Sequence, residues 1–199
     1  MAVNCLIYWG SSALTAGRYH FDFTMAFDRE VPLLPVFVWF YILAFPFWAV
    51  GYLLAARRGK DMFYRFVATD LTIHFICFIL IPTTNIRPEI PGNTLSEKIL
   101  ALVYSLDGGN SPSNLFPSIH CYVSWMCWKG VEGSEKVPKW YQRFSLVFAI
   151  LIIISTQVLK QHYIVDAAAA LLLVEFFWRF YQKGQRHKWV VHVFAHKKK

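Results

Sequence analysis

The sequence predicts an all-α protein: a polytopic membrane bundle of about six transmembrane helices with a short outer amphipathic helix. Three observations lead there. Of 199 residues, 56% are hydrophobic and only 16% charged, against roughly 25% charged in an ordinary soluble domain. The mean hydropathy is +0.38. The apolar residues stand in runs longer than a soluble core helix needs, rather than at core-face spacing.

Residues 2–16 are apolar and rich in small side chains but lack the basic leader of a signal peptide, and read as a short or partly truncated first span. Residues 33–56 are free of charge and long enough to cross ~30 Å of hydrocarbon. Pro46 inside them is expected to kink the helix, which membrane helices tolerate. Residues 62–81 form the third span, carrying Arg65, Asp70 and His74. Residues 115–131 are a shorter fourth, 144–159 the fifth and 163–181 the sixth. The connection over residues 83–114 is long and holds a helix of its own. Thr94-Leu95-Ser96-Glu97 is a capping box, and Gly108-Gly109 supplies a stop. Leu95, Ile99, Leu102, Val103 and Leu106 fall on one face of that helix, suiting either a membrane-surface position or a structural cap on the bundle. Residues 1–182 are expected to be one transmembrane domain and 183–199 a basic cytoplasmic tail.

The formal net charge is +8, but it sits in clusters between the apolar runs, so no nucleic-acid partner is expected. One side of the membrane receives Arg57, Arg58, Lys60 and Arg65, then Lys129, Lys136, Lys139 and Arg143, then the basic residues after the last span. The other holds Arg18, Arg29, Arg87, Lys98 and Lys160. By the positive-inside rule both termini are cytoplasmic in a multi-pass cell-membrane protein. Cys5, Cys77, Cys121 and Cys127 form no CxxC pair, so neither a zinc site nor a disulfide framework is signalled.

Three polar clusters fall at the outer ends of their spans: Asn85-Ile86-Arg87-Pro88; Pro117-Ser118-Ile119-His120; and Ser155-Thr156 with Lys160, Gln161, His162 and Asp166. Charged groups at such depth are costly and usually functional. Together they suit phosphoryl transfer through a histidine. His162 and Asp166, at i and i+4, share a helical face, so the carboxylate can hold one ring nitrogen while the other attacks. His120 would protonate the leaving oxygen. Arg87 and Lys160 would hold the phosphate, and Ser118 would add a donor at the first turn of a helix. No metal or other cofactor is required, because cations and backbone dipoles supply the charge stabilisation. A second i, i+4 pair, Asp70 and His74, reads as a polar clasp between helices in preference to a relay.

The last two clusters resemble the type 2 phosphatidic acid phosphatase superfamily. Its pattern is Lys-x6-Arg-Pro, then Pro-Ser-Gly-His, then Ser-Arg-x5-His-x3-Asp. This chain has Arg87-Pro88, Pro117-Ser118-Ile119-His120 and Ser155-Thr156-x5-His162-x3-Asp166. Asn114 to His120 and Ser155 to Asp166 look most like the branch with fungal inositol phosphorylceramide synthases and many bacterial lipid phosphatases. The resemblance implies His162 as nucleophile, Asp166 as its orienting partner and His120 as general acid, with Arg87, Ser118 and Ser155 around the phosphate. Leu80 and Thr156 stand where the family has lysine and arginine. Lys160, one turn from Thr156, is the candidate replacement for one of these cations.

The expected activity is metal-independent hydrolysis of a lipid phosphomonoester, such as phosphatidic acid, on the extracytoplasmic side. The expected partners are the lipid phosphate and membrane lipids. Transfer of a phospho-head group to an alcohol acceptor is the alternative enzyme. A transporter or channel using Asp70, His74 and Glu175 is the alternative from another class.

Overall fold

The computed structural model describes residues 19–79, 83–84, 87–107 and 116–191. The expected first span, Leu80, Asn85, Ile86, Gly108-Gly109, Asn114, Leu115 and the tail beyond residue 191 lie outside the described residues.

Helices dominate. A short α1 (Ala26–Glu30) and a 3-10 turn (Pro35–Phe37) lead into α2 (Val38–Arg57). Then come α3 (Lys60–Ile79), α4 (Leu95–Leu106), α5 (Ile119–Val131), α6 (Lys139–Val158) and α7 (Ile164–Gln182). The only described extended pairing is a parallel two-residue contact of Phe21–Asp22 with Thr83–Thr84. Two helical segments, Pro35–Arg57 and Lys139–Val158, are long and apolar enough to cross a membrane. α3, α5 and α7 lie at the positions of other expected spans.

The reason for the short α5 lies in its position. It packs against α2, α3, α6 and α7, and Cys121, Tyr122, Val123, Met126 and Cys127 are all buried in the main core. A helix covered all round by its neighbours needs no lipid-facing surface and no full span. Contact with α2 is close: a Cβ on Gly51 would lie 2.5 Å from Cys127 Sγ. Only glycine lets the two backbones approach this far. Gly59, at φ 125°, makes the sharp turn from α2 into α3.

The outer faces carry the large apolar side chains. Leu43 and Leu53 of α2, Val147 and Ile150 of α6, and Leu172 and Phe176 of α7 are exposed. Arg65, Asp70 and His74 of α3 are buried instead. Apolar outside and polar inside is the distribution that hydrocarbon solvent favours. Asp70 and His74 lie within 3.2 Å, and the Tyr122 hydroxyl lies 2.7 Å from His74 Nε2. The pair therefore links α3 to α5, as a clasp does.

Two expectations change. The α4 capping box forms: Glu97 N donates to Thr94 Oγ1 at 3.2 Å, and Thr94 N donates to the Glu97 carboxylate at 3.0 Å. Its inward face, however, is Leu100 and Tyr104 with Ile99 and Val103 beside them. Leu95, Leu102 and Leu106 are 65%, 58% and 71% exposed. The helix has apolar residues on two faces, and the hydroxyl of Tyr104, donating to Leu159 O at 2.6 Å, selects which one turns inward. The basic segment after α7 is not a separate tail at its start. Lys183–Lys188 forms a 3-10 turn; His187 bonds Tyr181 O and Asp61, and Val190 packs with Ala68 and Tyr181.

Candidate functional site

The site is assembled at one end of the bundle, where α5 and α7 begin and α6 ends. Ser118 caps α5, its hydroxyl accepting Cys121 N at 3.3 Å, because a serine oxygen satisfies an amide that the first turn leaves without a partner. Its own N–H donates to Asp166 O at 3.3 Å. That bond ties the start of α5 to the start of α7, across 48 residues of sequence.

The turn between α6 and α7 is fixed by one carbonyl. Thr156 O accepts both Gln161 N, at 3.0 Å, and His162 N, at 3.1 Å. Lys160 adopts φ 53° to complete the turn. His162 is thereby held at the mouth of α7, with Nδ1 3.5 Å from Asp166 Oδ2. The same carboxylate oxygen accepts Tyr163 N at 2.8 Å. Asp166 thus closes the first turn of its helix and faces the imidazole at once.

His120 enters from the first turn of α5. Its ring stacks on Tyr41, with centroids 4.0 Å apart and planes 17° apart, and Trp48 lies 4.9 Å away. His120 Nε2 and His162 Nδ1 are both buried without a hydrogen-bond partner. The backbone bond from Ser118 to Asp166 holds together the helix starts that carry them. A buried polar atom left unpaired costs about 1–3 kcal/mol; His120 Nε2 carries that cost, and His162 Nδ1 has only the 3.5 Å approach of Asp166, which marks a site with work beyond stability.

Arg87 reaches the same end. Its guanidinium donates to Gln161 Oε1 at 2.5 Å and to Asp107 Oδ2 at 3.0 Å. Its cationic carbon lies 4.7 Å from the Tyr104 ring centroid. Arg87 is therefore fastened between α4 and the α6–α7 turn, bonded to the residue before His162. Burial pushes the Tyr104 phenol up to about 12, against the opposing pull of Arg87, so Tyr104 remains a neutral donor.

The remaining expected contacts go elsewhere. Lys160 Nζ donates to Asp28 O at 2.6 Å, which engages the ammonium with α1, not with the histidines. Burial lowers its pKa, partly offset by Asp28. Asp28 itself accepts Ile164 N at 2.9 Å, so α1 braces the α7 mouth from outside. Ser155 Oγ donates to Ile152 O at 2.6 Å within its own helix. Ser155 and Lys160 thus make these bonds within the fold, whereas Arg87, Ser118, His120, His162 and Asp166 are gathered. Among the described residues, no group of three or more His, Cys, Asp or Glu is placed to hold a metal ion.

Four contributors carried no sequence signal of their own. Gln161 lay inside the third cluster without an assignable role. Asp107, Tyr41 and Trp48 are remote in sequence from every motif, and only packing reveals them. No family model matches the chain, and comparisons with curated proteins and with solved structures find no significant match.

Proposed function

We propose that this chain is an integral membrane enzyme that hydrolyses a lipid phosphomonoester through a phosphohistidine. One observation carries the reading: the bond from Ser118 N to Asp166 O joins the mouths of α5 and α7, so that His120, with its unpartnered Nε2, and His162, beside Asp166, are held at one end of the bundle. The flanking Asp166 and Arg87 add support.

With Nδ1 facing Asp166, Nε2 of His162 is the nitrogen available to attack phosphorus. The P–O ester bond breaks as the N–P bond forms, and His120 donates its proton to the departing lipid alkoxide. His120, now neutral, takes a proton from water as that water attacks phosphorus. The N–P bond breaks and inorganic phosphate leaves. Asp166 stabilises the positive charge on His162 throughout. Arg87 supplies a fixed positive field beside the phosphate. The lipid tails stay in the bilayer, against the apolar outer faces of α2 and α6. The exposed Leu95, Leu102 and Leu106 face of α4 rests in the interface above them.

The test is purified protein in detergent with a panel of lipid phosphates and EDTA present. Phosphate release that disappears in His162→Ala and in His120→Ala supports the reading. Full release in either variant overturns it. A new phosphodiester formed in place of inorganic phosphate would instead assign an alcohol acceptor.

A further inference from the structure

A cavity opens at the other end of the bundle from the histidines. α5 and α7 run from the histidine end to this one, and the cavity lies between the α2–α3 turn and their C-terminal ends. Its volume is about 370 Å³, within the size range of sites that take small molecules or head groups. Four cations line it, Arg58, Arg65, Lys129 and Arg179, with two carboxylates, Glu132 and Glu175.

The carboxylates are already engaged. Glu132 pairs with Lys129 at 2.7 Å. Glu175 pairs with Arg179 at 3.2 Å and Lys129 at 3.6 Å, and accepts Trp125 Nε1 at 3.0 Å. Neither arginine of the α2–α3 region shares them: among the described residues, neither Arg58 nor Arg65 has a carboxylate within ion-pair distance.

Neutral groups hold both arginines instead. Arg58 donates one nitrogen to Gly130 O and Glu132 O, each at 3.0 Å. Arg65 donates to Trp178 O at 3.0 Å and Gln182 Oε1 at 3.1 Å, and its guanidinium lies 4.2 Å over the Trp178 ring. Arg65 is only 8% exposed. Asp61 and Glu132 act on these guanidiniums only from beyond ion-pair distance, and two positioned cations, one of them buried, gain from an anion that contacts both. Their planar forks, each with donors to spare among the described bonds, match the oxygens of a phosphate.

We propose that this cavity binds a phosphate group, borne by an anionic lipid of the adjoining leaflet or free in solution. Arg58 and Arg65 grip its oxygens, while Lys129 and Arg179 keep Glu132 and Glu175 from repelling it. The site lies on the basic side of the chain, where basic pockets between helices meet anionic head groups. It is separate from the histidine end and has no part in phosphate release.

The test uses the full chain. Melting of the wild type is compared in inorganic phosphate and in chloride at equal ionic strength. Native mass spectrometry then reads the lipids retained from mixed phosphatidylcholine and phosphatidylserine nanodiscs. Stabilisation by phosphate alone identifies the free anion; preferential retention of phosphatidylserine identifies the lipid. Arg58→Gln should weaken whichever is seen about tenfold, the loss of one charge-assisted hydrogen bond, and leave lipid phosphate hydrolysis unchanged. Arg58→Lys, which keeps the charge and the fold, should weaken it less. His162→Ala should abolish hydrolysis and leave this binding intact, so the two sites fail or stand separately. Equal melting in both salts with no lipid preference, or binding undiminished in Arg58→Gln, overturns the proposal.

Discussion

His162 Nδ1 lies 3.5 Å from Asp166 Oδ2, and that same oxygen accepts the Tyr163 amide at 2.8 Å. The carboxylate therefore has a structural and an electrostatic task, and the two can be separated. Asp166→Asn keeps an oxygen for the Tyr163 amide but removes the charge that steadies an imidazolium. It should melt within about 1 kcal/mol of the wild type, the worth of a capping group. Phosphate release should fall on the order of 100-fold or more, a typical loss for one preorganised electrostatic group. Calorimetry beside a phosphate-release assay reads both. Loss of fold with no separate loss of turnover would leave Asp166 a cap only.

The stack of His120 on Tyr41 makes a second expectation. The ring lies flat on Tyr41 of α2, and its Nε2 has no hydrogen-bond partner. Tyr41→Leu keeps the apolar volume roughly and removes the flat surface. Turnover should drop about tenfold while the half-saturating substrate concentration stays put, because the proton donor is misplaced and the phosphate contacts are not. A steady-state titration separates the two parameters.

Lys160 combines a left-handed backbone, φ 53°, with an ammonium bonded to Asp28 O. Lys160→Gly relieves a conformation that costs an L-residue roughly 1–2 kcal/mol and removes one hydrogen bond of roughly similar worth. Stability should change little. The apparent affinity for lipid phosphate should stay within about twofold, whereas a cation touching the substrate would lose about tenfold or more. Substrate titration of this variant decides whether the ammonium reaches phosphate.

Gly51 against Cys127 predicts a stability effect remote from the chemistry. Gly51→Ala places a methyl group 2.5 Å from a buried sulfur, and overpacking of this kind costs about 1–3 kcal/mol. Adding Cys127→Ala removes the sulfur but keeps the Cβ, which would stand 2.7 Å away, so it should restore only part of the loss. A double-mutant cycle on melting temperatures measures the coupling. Additive effects would show that the helices shift apart freely.

Much of this organisation was written in patterns that need no third dimension. Helix positions follow from apolar runs, and the α4 start from Thr94 and Glu97, whose side chains cap amides only a few residues away. The His162–Asp166 relation follows from one helical turn. These are short-range facts, set by bonding geometry along the chain. The tertiary structure alone decided which face of α4 turned inward, because Leu and Ile residues occupy both faces and only docking of Tyr104 on Leu159 breaks the tie. It also placed the short α5 at the centre of the bundle, packed on four other helices. Packing alone bonded Arg87 to Asp107 and Gln161, set His120 on Tyr41 and drew Lys160 to Asp28. Such partners are tens of residues apart, and a side chain with several reachable bonds takes the one that packing leaves open.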